Sequence, residues 1–381
     1  MKTLIIGGSG LLSSAVAKEA LREKQEVYVL NRGKHPEMIP TGSILLKADI
    51  HDDSGVKEQL DGKMFDCVID FISRRKDELE NTINLVKDKT RQIVFISTTC
   101  VYNTHIPGEK TEDSPKVFED WSYSKEKWEC EESLSSYSAR NQLNYTIVRP
   151  CVTYDNSRIP YGVMPQNGYH WTWIARIINH KPIIVWDGGE ARWNLTRVED
   201  FARGVVGLIG NAKAYGRAFN VCGEKSYSWI EVINSVEKLL GEKAILFDIP
   251  SYEYAKAFKT RAPEILCRAY DNACSNAALK EANPDFKQHY SLEEGVRLTL
   301  EAYQENQQKG IDYYFDGIQD GIIYRALKEK HKKADYKLHF IDYLGNAGEK
   351  ERRDYMKGFY YNTLRENIKS LLKKVIRRIV H

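Results

Sequence analysis

Long apolar runs are missing from this chain. No stretch approaches the roughly 18–20 residues that cross a bilayer, so a membrane-spanning helix is not expected. Met1-Lys-Thr-Leu-Ile-Ile6 enters a strand-like pattern at once, leaving no room for a signal peptide. The seven cysteines are scattered and form no Cys-x-x-Cys pair. Neither a zinc site nor a secreted disulfide framework is expected from them. These absences lead to an expectation of a reduced, cytoplasmic protein with no bound metal. A large net charge is missing too, at +3 over 381 residues. That small value hides an asymmetry: residues 311–381 hold 16 Lys+Arg against 10 Asp+Glu, and the remainder is slightly acidic. A weakly acidic body argues against nucleic acid as the main partner.

What is present suits a large core, with 42% hydrophobic and 11% aromatic residues. Strand-like and helical patterns alternate through the first half. Thr3-Leu-Ile-Ile6, Glu26-Val-Tyr-Val-Leu30, Ser43-Ile-Leu-Leu-Lys47, Phe65-Asp-Cys-Val-Ile-Asp70 and Gln92-Ile-Val-Phe-Ile-Ser97 read as successive strands. Leu12, Val16, Ala20 and Leu21 mark the first helical face between them. Such alternation implies an α/β fold with a doubly wound parallel sheet and right-handed crossovers. Ligands then bind beyond the carboxyl ends of the strands.

Gly7-Gly8-Ser9-Gly10 follows the first strand and runs into Leu11 and Leu12. Glycines there permit a tight turn and bring a dinucleotide's pyrophosphate close to a helix N-terminus. Ser13 replaces the third expected glycine and is still small. An acidic residue after the second strand usually selects NAD; here the segment is Asn31-Arg32-Gly33-Lys34. Neutral Asn31 removes repulsion against a 2′-phosphate and Arg32 can grip it, which favours NADP over NAD. Asp49-Ile50, after the third strand, is placed to contact the adenine.

Tyr123-Ser-Lys-Glu-Lys127 sets a phenol and an ammonium on one helical face, with Glu131 four residues further on. A nearby lysine favours the phenolate, which fits the tyrosine for proton transfer. Together with the glycine turn, these motifs resemble the extended short-chain dehydrogenase/reductases, the NAD-dependent epimerase/dehydratase superfamily with its Rossmann fold. The Gly-Gly-x-Gly turn and Asn-Arg-Gly segment are similar to an atypical subgroup that includes chloroplast stem-loop-binding proteins. Further landmarks over about 1–305 carry the resemblance: Val94–Tyr102, Tyr145–Pro150, Trp193–Asp200 and Phe219–Gly223.

The resemblance implies that Thr98 orients the substrate, that Tyr123 is the acid/base, and that Lys127 binds the nicotinamide ribose. It also adds Phe71 to the cofactor contacts. Dehydratases of the family carry an Asp-Glu pair where this chain has Thr99 and Cys100, so dehydration is not expected. Cys100 occupies the position of a cysteine that works with a histidine in epimerase–reductases, and His170 lies near that histidine's place. Arg176 and Arg192 are candidate ligands for a nucleotide-sugar diphosphate. The implied activity is that of an NAD(P)-dependent nucleotide-sugar epimerase or keto-sugar reductase. The alternative is an RNA-binding or non-catalytic NAD(P)-sensing protein on the same scaffold.

The expected organisation is a nucleotide-binding domain over 1–150, with 199–222 returning to it. A substrate lobe follows over 151–305 and a Tyr-rich helical extension over 306–381. The extension repeats a short phrase, Tyr314-Phe-Asp-Gly317 and Tyr355-Met-Lys-Gly358. Its last segment sets Leu364, Ile368, Leu371, Leu372, Val375, Ile376 and Ile379 on one face, and Lys369, Lys373, Lys374, Arg377 and Arg378 on the other. Such a helix docks on its own domain or on a second copy in a homodimer, or lies on an anionic membrane surface through 364–380.

Overall fold

The computed structural model describes residues 1–117, 121–166, 169–305, 310–329, 344–345 and 347–363. The expected strands are β1 (Lys2–Ile6), β2 (Glu26–Asn31), β3 (Ile44–Lys47), β4 (Cys67–Asp70) and β5 (Gln92–Ile96), followed by β6 (Asn144–Pro150). Between them run α1 (Leu11–Arg22), α2 (Asp53–Leu60), α3 (Lys76–Val86) and α4 (Ser122–Asn141). β4 starts later than its apolar run because Phe65 makes only an isolated bridge to Thr90. With the strand Arg217–Val221 at one edge, the seven strands pair in parallel in the order Arg217–Val221, β6, β5, β4, β1, β2, β3.

A parallel sheet is covered on both faces, and the period-2 alternation of its strands fills two cores. Ile5, Val29, Ile69 and Val94 pack with Val16 and Ala17 of α1 and with Phe201 and Val205 of the helix Val198–Val206. Leu4, Leu30, Val68 and Phe95 pack on the other face with Val56 of α2, Leu79 and Ile83 of α3, and Leu134 of α4. Strand order reverses between β1 and β4. The loops after those two strands therefore flank the crevice where doubly wound sheets bind ligands.

The chain divides into two compact units. The first comprises Met1–Asp155, Arg192–Tyr227 and Tyr270–Ser291. The second comprises Asn156–Ala191, Ser228–Ala269 and the described residues from Leu292 onward. The expected division is 1–150 with 199–222 returning, then 151–305 and 306–381; the units are more interleaved than that, with 192–227 and 270–291 both in the first. Residues 270–291 belong to the first unit because Leu279, Ala282 and Phe286 fill one of its cores. Asn272 Nδ2 also donates to the Thr99 carbonyl at 3.1 Å.

The second unit has an aromatic centre in which Tyr161 meets the rings of Trp173, Trp186 and Trp229. Beside it lies a cluster of four buried charges. Arg176 reaches Asp316 at 2.5 Å and Asp320 at 2.8 Å, and Lys181 reaches the same pair at 2.5 and 2.7 Å. Both aspartates come from the extension, on the helix Tyr313–Glu329, and Tyr355 from the helix Glu349–Phe359 donates to Asp320 at 2.6 Å. The repeated phrase explains how those two helices meet. A Cβ on Gly317 would collide with the Tyr355 carbonyl, and one on Gly358 with the Tyr314 carbonyl. Each glycine thus admits the tyrosine backbone of the other helix. The stripe at 364–380, expected to dock on its own domain or a second copy or to lie on a membrane surface, is outside the described residues. No described helix is long and apolar enough to cross a membrane.

The buried groups of the second unit make its stability sensitive to substitution and to pH. Asp316→Ala deprives buried Arg176 and Lys181 of a shared carboxylate, an expected loss of about 3–5 kcal/mol in chemical denaturation. His170 is one pH-sensitive group of this unit: burial pulls its pKa down to about 4, so the folded imidazole is neutral. The unfolded chain binds a proton near pH ~6.5 that the folded chain refuses. Stability is therefore complete above that pH and falls by about 3 kcal/mol as pH drops to 4. His170→Gln is expected to flatten that limb in urea titrations between these pH values.

Candidate active site

The turn after β1 has no room for side chains. Gly7 has φ of +100°, in the left-handed region, and a Cβ there would stand 2.6 Å from Ile72 Cδ1. Its N–H donates to the Leu30 carbonyl at 2.9 Å, holding the turn against β2, while Gly8 abuts Val29. Gly10 caps α1, and its N–H donates to the Ser13 hydroxyl at 3.0 Å. Serine at the third glycine position thus seals the helix start. Leu11 and Leu12 open the helix, where first-turn amides point outward.

Beside the turn is a cavity of about 220 Å³, walled by Gly7 and Ser9, by Asn31–His35, by Asp49–His51 and by Ile72. Asn31, Arg32, Asp49 and Ile50, named from sequence, meet there. Gly8, Gly10, Leu11, Leu12 and Phe71 are not among its walls, and Phe71 packs into the core under the sheet. The Asn31 side chain bends the loop by accepting the Gly33 N–H at 2.8 Å. Arg32 is exposed at the rim and has no carboxylate partner among the described residues. Lys34, His35 and His51 add donors that the motif reading had not assigned. A tight turn, a helix N-terminus and a cationic rim at the point of strand reversal fit the adenosine half of a dinucleotide.

A second group of residues sits at the ends of β4 and β5. Asp70, fully buried, accepts the N–H groups of Ile72 at 2.8 Å and Ser73 at 3.0 Å, and the Ser73 hydroxyl at 2.5 Å. This coils the loop so that the Ser73 carbonyl accepts from Lys127 Nζ at 2.8 Å. Lys127 also donates to the Ile96 carbonyl at 2.8 Å and lies 4.7 Å from the centre of the Phe95 ring. Burial pulls the lysine pKa down, while the Asp70 carboxylate acts in the opposite sense. An ammonium has three N–H bonds, and two carbonyls take two of them.

Thr98 leaves β5 extended, and its Oγ1 accepts the Cys100 N–H at 3.1 Å, capping the turn Thr99–Val101. Ser124 donates to the Cys100 carbonyl, pinning the first turn of α4 to that turn. Tyr123 is half-buried, between the Arg74 guanidinium at 5.4 Å and the Trp121 ring at 5.2 Å. The helix that carries Tyr123 and Lys127 is thus tied to the end of β5 and to the turn that Thr98 caps.

Other expected residues have different surroundings. Arg176 is a correction: its guanidinium is enclosed by Asp316, Asp320 and the Pro182 carbonyl, and is unavailable to a substrate phosphate. Arg192 is half-buried, with Nη2 donating to the Ser226 carbonyl at 2.8 Å. Cys100 is buried in the first unit. His170 belongs to the second, where its Nδ1 accepts the Ile159 N–H at 3.1 Å. A neutral imidazole held by backbone is a packing residue in these surroundings, and no proton transfer is assigned to it. Glu131 turns away from the site to pair with Arg149 at 2.6 Å and to accept from Ser97. Asp70, Ser73, Arg74 and Ser124 were missed, because each acts through backbone or ring contacts that leave no motif. Among the described residues no group of His, Cys, Asp or Glu is arranged to hold a metal ion.

Known proteins with similar sequences fit this picture. The chloroplast stem-loop binding protein of 41 kDa b from Arabidopsis thaliana is 27% identical over 237 residues, covering 59% of this chain and 59% of that protein. The 2′-dehydrokanamycin reductase of Streptomyces kanamyceticus is 23% identical over 252 residues, 66% and 70% of the two chains. The match therefore spans less than two thirds of the chloroplast protein. Among solved structures, the UDP-glucose 4-epimerase of Thermus thermophilus in complex with NAD has a TM-score of 0.63 at 18% identity, covering 80% of this chain and 99% of that one. The Bacillus cereus UDP-glucuronic acid 4-epimerase, in complex with UDP-glucuronic acid and NAD, has a TM-score of 0.64 at 17% identity, covering 80% and 100%. At such identities the likeness concerns the fold. Residues 3–222, more than half of the sequence, match the model of one family, and this chain belongs to that family, the NAD dependent epimerase/dehydratase family.

Proposed function

We propose that the protein is an NAD(P)-dependent oxidoreductase of nucleotide sugars, acting as an epimerase or a keto-sugar reductase. The observation that carries this reading is Lys127, fixed by the Ser73 and Ile96 carbonyls on the helix that also carries Tyr123. A lysine in a buried, doubly bonded seat is costly unless its charge is used.

A bound nicotinamide dinucleotide supplies the hydride donor or acceptor. Gly7, Ser9, Asn31, Asp49 and Ile50 would hold its adenosine end, and Arg32 its 2′-phosphate, which supports NADP over NAD. Thr98 Oγ1 accepts from Cys100, and in this reading its own O–H would donate to a substrate oxygen. The Tyr123 phenol gives a proton to that oxygen, or takes one from it, while the Lys127 charge stabilises the phenolate form. Thr99 and Cys100 provide no carboxylate for loss of water, which supports redox or epimerisation over dehydration. The UDP-glucuronic acid bound in the Bacillus cereus epimerase structure supports the substrate class, and the reductase relative supports reduction as the chemistry.

Tyr123→Phe is expected to lower turnover about 10²–10⁴-fold in a panel of UDP-, GDP-, CDP- and dTDP-sugars with either cofactor. Stem-loop RNA binding that persists in this variant of a protein without turnover would support the scaffold alternative instead. For the cofactor, Arg32→Ala is expected to weaken NADP binding by about tenfold or more and to leave NAD nearly unchanged, read by calorimetry. Equal affinity of the unaltered protein for NAD and NADP would remove the role given to Arg32.

A further inference from the structure

The loop after β4 delivers two consecutive groups to α4. The Ser73 carbonyl receives Lys127, and the next residue, Arg74, lays its guanidinium over the Tyr123 ring at 5.4 Å from the centroid. Three contacts fix Arg74. Its N–H donates to Glu78 Oε2 at 2.9 Å, its carbonyl accepts from the Cys130 thiol at 3.4 Å, and its Nε reaches Glu126 Oε2 at 2.7 Å. Glu126 lies three residues after Tyr123, so one helical face carries both the ring and the tether of the cation.

The two cations near this tyrosine differ. Burial disfavours the charge on Lys127. Arg74 has a side chain 54% exposed, and a guanidinium stays charged at any working pH. A cation over an aromatic face is attracted by the ring, and more strongly once the ring carries a negative charge. We propose that Arg74 is a positioning residue for Tyr123, a second cation that holds the ring and favours its phenolate in a task the Tyr-x-x-x-Lys spacing gives to lysine alone.

Several charged and titratable groups lie on the described elements around Tyr123. Arg74 and Arg75 come from the loop, Glu78 from α3, Glu126 and Lys127 from its own helix, and the Cys100 thiol from the turn pinned by Ser124. Asp70 lies near Lys127. Glu78 is engaged by the Arg75 guanidinium and by loop amides, and Glu126 by Arg74. Removing Arg74 deletes a cation from the ring and leaves the Glu126 carboxylate without it. Both changes oppose the phenolate.

This inference rests on Tyr123 being the proton carrier, and the two are separable by experiment. Tyrosine labelled with ¹³C at Cζ reports ionisation by chemical shift, and the Tyr123 signal is the one lost in Tyr123→Phe. In the full chain, Arg74→Gln is expected to raise the Tyr123 midpoint by about half a pH unit or more. Arg74→Lys is expected to recover part of that shift. An unchanged midpoint in Arg74→Gln, with an unchanged melting temperature, overturns the proposal. Turnover that survives Tyr123→Phe overturns the functional reading alone and leaves the titration standing.

Discussion

A buried ammonium between two strand ends organises the carboxyl edge of the sheet. Lys127 Nζ bonds the carbonyls of Ser73 and Ile96, each at 2.8 Å, and so ties α4 to the loop after β4 and to the end of β5. The seat exists because Asp70 first coils that loop by accepting two amides and a hydroxyl. Remove the coil and the Ser73 carbonyl turns elsewhere; remove the ammonium and two strand-end carbonyls lose a charged donor. The crevice lies where the strand order reverses, but this bond fixes which side chains stand in it.

Buried charge recurs away from the site, with a different purpose in each unit. In the first, Arg149 joins Glu131 to the Tyr102 hydroxyl, and Tyr102 in turn donates to Asn220 at 2.6 Å. That network ties α4, β6 and the edge strand Arg217–Val221 together behind the proposed catalytic residues. In the second, two cations and two aspartates close the contact between the lobe and the extension. Such networks do not exceed apolar packing in energy, but they tolerate only one arrangement of their members. Each therefore fixes an alignment that oily side chains alone leave loose.

The sheet was legible in the sequence because its strands are short apolar runs separated by helical periodicity, and β1 to β5 appear close to where those runs lie. Lys127 was legible through its spacing from Tyr123. Its seat was not, since a backbone carbonyl has no letter of its own. Glu131 kept the same four-residue spacing but turned inward, because Arg149 on β6 draws it into the core. Arg176 resembled a phosphate ligand only while its carboxylate partners, 140 and 144 residues away, could not be linked to it. The return of 270–291 to the first unit was hidden for a similar reason: its contacts are long-range and carry no motif.

The reciprocal glycine contact in the extension bears on the order in which the chain is assembled. Arg325 bonds the Phe359 carbonyl across 34 residues, whereas Arg176 meets Asp316 across 140. The helix pair is thus the more local contact, with a lower cost in loop entropy than the contact with the lobe. The lobe has to wait for it. During synthesis, Arg176 and Lys181 remain without their counter-ions until the helix Tyr313–Glu329 has emerged from the ribosome. A chain that stops before that helix therefore lacks Asp316 and Asp320 and is left as an incomplete lobe, a form open to proteolysis.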